Sequence, residues 1–231
     1  YKNLKGKEIT KKEAEKIARN YARFQNNVKI KVTENGDGSD YGFYSVTIQD
    51  PKTKEEASMD ITKKGGYPIW FIHTRDVNDQ KISLNEAGNK AIQFLKERKF
   101  ENLTMFESMQ YDNIGVFTFV SSEGDVRIYP DSIRVKVALD NGDIIGMSAS
   151  DYLKSNHERT LPKAEISAEE AKKAINPNVK VMEEGMAVIL NDLNEEVLCY
   201  EFLGTLDDDT YRIFINAING MEEKVEMLQQ S

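Results

Sequence analysis

The sequence predicts an α+β fold made of three tandem modules, each a helix packed on an antiparallel β-sheet. Three observations predict it. A hexapeptide pattern, I-[ST]-x-x-E-A, occurs at residues 9–14, 82–87 and 166–171. Each copy leads into apolar residues at helical spacing and then into short runs rich in β-branched and aromatic residues. Each unit then closes on a glycine turn that leads to one more strand. The copies begin 73 and 84 residues apart, at Ile9, Ile82 and Ile166. Self-similarity at that period marks a duplicated supersecondary unit. The expected modules are residues 1–76, 77–157 and 158–231, joined by polar stretches at 75–81 and 155–163. Links that short pack neighbours together instead of letting them swing.

Helix capping gives the hexapeptide its physical sense. Thr10, Ser83 and Ser167 can each accept a hydrogen bond from the backbone N–H three residues on, and Glu13, Glu86 and Glu170 can reach back to close a capping box. After the caps, Ala14, Ile17, Ala18, Tyr21 and Ala22 form the first apolar face, and Ala87, Ala91, Phe94 and Leu95 the second. The third face is short: Ala171, Ala174 and Ile175, before Asn176-Pro177 ends the helix.

Strands follow in order. The first unit offers 28–33, 41–49 and 57–62, the second 102–110, 114–121 and 132–139. The third offers 179–182, 186–190, 196–203 and 210–217. Period-two alternation is clearest in Ile133-Arg134-Val135-Lys136-Val137 and Tyr211-Arg212-Ile213-Phe214-Ile215. The closing turns are Lys64-Gly65-Gly66, Asn141-Gly142 and Asn219-Gly220.

Composition narrows the function classes. With 39% hydrophobic and 30% charged residues the chain is globular. A net charge of −8 repels phosphate backbones, so no nucleic-acid partner is expected. The lysines of residues 2–16 alternate with acids as on the wet face of a helix. No apolar run approaches the ~20 residues of a bilayer helix. The chain opens at Tyr1 without a leader pattern and reads as a soluble piece of a longer protein, with no membrane contact of its own. One cysteine, Cys199, leaves no internal disulfide.

A helix opening at I-[ST]-x-x-E-A, followed by a sheet that ends in a Y-x-[IV]-x-[IV]-x-x-x-x-G hairpin, resembles the PepSY domain. Residues 211–220, from Tyr211 to Gly220, match best, and 133–142 match well. The first unit departs, since Met59-Asp60-Ile61-Thr62 runs into Gly65-Gly66-Tyr67-Pro68-Ile69-Trp70. The resemblance covers nearly the whole chain, and the triple array with that segment is similar to the spore-germination branch of the family. It implies a non-enzymatic regulatory or stabilising role and a parent protein with an N-terminal anchor. It places the parent at the outer face of the inner spore membrane. It also implies a partner, the cortex-lytic peptidoglycan hydrolase SleB. A peptidase inhibitor of the propeptide type is a second implication.

Searched for chemistry, the sequence offers little. His73 and His157 lie in different units, and neither neighbours a G-x-S-x-G pattern, so both read as structural or solvated. Cys199, between Leu198 and Tyr200, reads as a small core residue. Two histidines and one cysteine make no zinc set, and no glycine-rich phosphate loop suggests a cofactor. Residues 35–40 match a calcium loop only out of register and read as a turn, and Asp207-Asp208-Asp209 as a solvated loop tip. A carboxylate-based hydrolase needs two facing acids, which no motif proposes. A surface remains. Gly65, Gly66, Tyr67, Pro68 and Trp70 are the candidate partner-binding residues, holding the single tryptophan in the densest aromatic cluster.

Overall fold

The structure is a computed structural model that describes residues 4–36, 42–98 and 100–228. It is mixed α+β, with a large share of strand and few helices. Of the turn read at 35–40, residues 37–40 lie outside the described residues, as does Tyr41 at the start of the second expected strand.

The described residues divide into two compact units: residues up to Val120 with 131–157, and residues 121–130 with those from Glu158 onward. In the first unit, α1 (Lys11–Tyr21) leads to β1 (Lys29–Asn35), β2 (Phe43–Gln49), β3 (Glu56–Thr62) and β4 (Pro68–Thr74). Then come α2 (Leu84–Glu97), β5 (Leu103–Tyr111), β6 (Ile114–Glu123) and β7 (Val126–Ala138), whose residues 121–130 count with the second unit, and β8 (Ile144–Ser148) and α3 (Ser150–Ser155). The strand order is β1-β2-β3-β4-β8-β7, continued by β6 on β7 and β5 on β6. The repeat boundary at residues 76 and 77 falls inside this unit. The reason is that β4 and β8 pair antiparallel, Phe71 opposite Met147, and that both helices bury into one core. Tyr21 of α1 meets Phe71 and Phe94 edge-on, with centroids 5.5 and 5.4 Å away. Each buried side chain of this size contributes about 1.5–3 kcal/mol.

The capping prediction holds for the hydroxyl arm in all three helices. Thr10, Ser83 and Ser167 accept from the N–H groups of Glu13, Glu86 and Glu170 at 3.2, 3.0 and 3.1 Å. The reciprocal carboxylate bond is present at Thr10, where Glu13 accepts from the cap N–H at 3.3 Å, so the full box predicted three times is described once. Exposed carboxylates gain little by leaving water for such a bond. Of the charged run read at residues 2–16, residues 2 and 3 lie outside the described residues, and the helix begins at Lys11. Lys7 and Ile9 run along the first turn, with Ile9 N–H donating to Lys63 O and Gly65 N–H to Lys7 O.

In the second unit, α4 (Ala168–Lys172) precedes β9 (Lys180–Leu190), β10 (Glu196–Leu206), β11 (Asp209–Asn216) and β12 (Glu222–Leu228), paired in that order. Val126–Ile128 of β7 adds parallel to β9. Ala171 and Ile175 pack on Phe202, Ile213 and Ile215. Two strands expected at 179–182 and 186–190 are one. The Glu183-Glu184-Gly185 stretch stays paired because the register shift at Leu203/Gly204 absorbs the irregularity. Helix α3 was not expected; it stands where the sequence suggests the approach to a linker, held by buried Leu153 and by Tyr152 edge-on to Phe100 at 5.6 Å.

One contact explains why the repeat keeps both its isoleucine and its glycine. A methyl group added at Gly66 would lie 3.2 Å from Ile9, and one at Gly142 or Gly220 would lie 3.4 Å from Ile82 or Ile166. Each repeat isoleucine therefore rests on the glycine of its own closing turn. Tyr44 and Tyr200 then tether the carbonyls of Ile9 and Ile166 at 3.1 and 2.7 Å.

Candidate partner-binding surface

The reactive residue types are dispersed. His73 is buried, stacked on Phe24 at 4.6 Å, with its Nε2 3.6 Å from a Glu55 carboxylate oxygen. Burial holds its pKa below the usual histidine value, against the opposing pull of Glu55. His157 is exposed, with Nδ1 beside Ser155 O. Cys199 is fully buried, and burial pushes its thiol up to about 12, which removes it as a thiolate nucleophile. Within the second unit the Tyr129 hydroxyl donates to Glu201, whose carboxylate also accepts from Arg127 at 3.3 Å. Burial and that carboxylate raise the Tyr129 pKa above the ordinary tyrosine value. This trio ties β7 to β10. Among the described residues no three His, Cys, Asp or Glu side chains group as a metal site.

The sequence-derived surface segment lies on and before β4. Gly65 takes φ +80°, and a Cβ there would meet Lys5 O and the Tyr67 ring at 2.3 Å. Pro68 and Ile69 are buried, and Tyr67 packs on the core. Trp70 is half-buried and donates from Nε1 to Asp60 at 3.0 Å. Ser45 donates to the other Asp60 oxygen at 2.8 Å, and Asn35 donates to Ser45. Trp70 thus ends a polar row that crosses β1 to β4, while Tyr67 and Trp70 keep part of their surface in solvent.

Two concave features of the first unit come from residues with no motif. Where the last turns of α1 and α2 meet the β7–β8 turn, a cleft of about 210 Å³ is lined by Tyr21, Arg23, Lys90, Phe94, Arg98 and Asp143, among others. Arg98 partly fills it, its guanidinium 3.8 Å from the Phe94 centroid and 4.6 Å from that of Tyr21. It donates to Asn20 O and Phe94 O, a cation closing two helix C-terminal ends.

The larger feature is an open groove of about 600 Å³ between α2 and β5. Its apolar lining is Ile92 and Leu95 of α2, Phe100 of the connection, Leu103 and Met105 of β5, and Phe119 of β6. Lys96 and Glu101 stand at its rim. Among the described residues β5 pairs with no strand other than β6, so it stands as the end strand of its sheet beside the groove. Sequence reading missed this site. Leu103, Met105 and Phe119 read there as ordinary strand residues, and nothing local marks a strand as the last of its sheet.

The chain carries PepSY domains. The family model described as YpeB sporulation, PepSY1 and PepSY2 domains matches residues 1–162, and the peptidase propeptide and YPEB domain matches residues 165–226. The chain belongs to the YpeB family of sporulation proteins. It is 51% identical over 230 residues to the sporulation protein YpeB of Halalkalibacterium halodurans, covering 100% of this chain and 51% of that protein. It is 49% identical to the YpeB of Bacillus subtilis, covering 100% of this chain and 52% of that protein. The chain therefore spans about half the length of the curated relatives it matches. Among solved structures, the Bacillus megaterium YpeB C-terminal domain aligns with a TM-score of 0.87 and 56% identity, covering 97% of this chain and 100% of that one. No helix among the described residues is long and apolar enough to cross a membrane.

Proposed function

We propose that the chain is a non-enzymatic regulatory region of spore germination, built from three PepSY copies, that binds and stabilises or restrains the cortex-lytic peptidoglycan hydrolase SleB. The observation that carries this reading is the α2–β5 groove beside the end strand of its sheet. An extended segment of the hydrolase would add to β5 through backbone hydrogen bonds and seat alternate side chains in the trough, a recognition mode that needs no reactive group. Tyr67 and Trp70, with the Gly65, Gly66 and Pro68 that shape their turn, form a second contact patch in this reading. The names of the relatives support a role in the spore, and the parent protein would act at the outer face of the inner spore membrane.

Mixing the purified chain with the hydrolase, then following complex formation and survival of the hydrolase against added protease, tests this. Binding and protection are expected. No complex and unchanged proteolysis would refute it.

One observation favours a second reading. The match to a peptidase propeptide domain over residues 165–226 suits an inhibitor of a peptidase. Inhibition of a metallopeptidase at a stoichiometric dose of chain, without hydrolase protection, would select it.

A further inference from the structure

The outer strand of the second unit, β12, carries an apolar face that its own helix does not cover. Opposed residues of an antiparallel pair share a face, and Ile213 lies opposite Val225 and Tyr211 opposite Met227. Val225 and Met227 therefore stand on the face where Ala171 packs on Ile213. Helix α4, Ala168–Lys172, is only five residues long, and Val225 and Met227 are not among the residues packed with its Ala171. Val225 is 45% and Met227 63% exposed. Among the described residues β12 pairs only with β11, so its outer backbone edge is open as well.

An open edge is normally defended by charge. Here one two-fold register sets opposite charges against each other with no like pair, whereas a register centred on Met227 leaves Lys224 and Glu226 without an opposite charge. Two copies of β12 related by an axis perpendicular to the sheet must pair residues of the same face, so the axis passes through one residue. Centred on Lys224, the register opposes lysine to lysine and Glu222 to Glu226. Centred on Glu223 or Glu226, it opposes glutamate to itself. Centred on Val225, it opposes Lys224 to Glu226 of the second copy twice and Val225 to itself within the regular part of the strand, and brings Met227 opposite Glu223, where the register of β12 on β11 shifts. No like charges meet there; the two valines face each other, and the methionines flank them on the same face, each opposite a Glu223.

We propose that β12 is a self-association edge, and that two copies of this chain pair antiparallel through it about Val225. A seven-residue strand pair is small beside the roughly 1,200 Å² of a standard stable interface. The dimer is accordingly expected to depend on concentration. Lys224 and Glu226 bridge each other at 2.8 Å within one strand and are 52% and 38% exposed, so both can be exchanged without entering the core.

Sedimentation velocity of the 231-residue chain across roughly 1 µM to 1 mM tests the proposal. The expected mass rises from 26.3 kDa toward twice that value. Lys224→Glu or Glu226→Lys alone should weaken association by about tenfold or more, the size of a 1.4 kcal/mol loss. The double exchange should restore it to within about threefold. Val225→Lys, which faces lysine with lysine across the axis, should leave a monomer with an unchanged circular dichroism spectrum. A monomer at every concentration, a double exchange no better than the singles, or open-ended growth past the dimer would each overturn it.

Discussion

Gly65 and Gly142 close equivalent turns at φ +80° and +83°, yet a side chain would meet different things at the two. At Gly65 the obstacles are the Lys5 carbonyl and the Tyr67 ring; at Gly142 they are the far methylenes of Lys90, which can move aside. Gly65→Ala is therefore expected to destabilise by about 2–3 kcal/mol, and Gly142→Ala by about 1 kcal/mol. Urea denaturation of the two variants checks the order, which equal losses would contradict. The need for glycine at both turns was legible in the sequence; the different obstacles were not, because Lys5 reaches Gly65 only through the folded approach to α1. His73 makes the second prediction at this scale. Its folded pKa is lowered, first by burial, while the unfolded chain titrates near 6.5. Its contribution to stability is complete above about pH 6.5 and falls as pH drops from there toward the folded pKa, since the unfolded chain binds the proton first. His73→Phe, which keeps the stack on Phe24, should flatten the stability profile below about pH 6.5. A slope unchanged in the variant would mean another group is responsible.

At the scale of elements, hydroxyl caps start all three repeat helices, and Thr10→Ala, Ser83→Ala or Ser167→Ala should each cost about 1 kcal/mol. Glu13→Ala should add a few tenths more than Glu86→Ala, because only Glu13 bonds back to its cap. Thermal unfolding of this set checks both statements. Starts were readable because capping is local chemistry, confined to four residues. Ends and strand lengths were less so. Helix α3 has no side-chain cap and stands on Leu153 and Tyr152, whose partners are distant in sequence. Strand β9 runs on through Glu183-Glu184-Gly185 because β10 supplies partners across the interruption. Tertiary pairing decided both cases, and periodicity carries no trace of it.

For the whole molecule, the repeat period was visible and the merging of its first two copies was not. Nothing in residues 68–74 or 144–148 announces that β4 and β8 pair, yet that pairing and the Tyr21–Phe71–Phe94 cluster place both copies in one compact unit. Arg75, at the junction, forks onto Asp140 at 2.7 and 3.0 Å and onto Asn141 at 2.9 Å, a further tie within that unit. The groove itself lies within the second copy, between α2 and β5, the strand that pairs only with β6 among the described residues. Sequence reading placed the candidate binding residues at Gly65, Gly66, Tyr67, Pro68 and Trp70 because aromatics concentrate there; in the fold Pro68 is buried, and Tyr67 and Trp70 are partly so. The central claim is that this chain works by contact area offered at the α2–β5 groove. Calorimetric titration of the cortex-lytic hydrolase with the native chain and with Leu103→Asp addresses it most directly. The account predicts a saturable heat for the native chain, weakened about tenfold or more by a carboxylate set in the apolar trough. Equal affinities for the two, or no heat of binding from either, would contradict it.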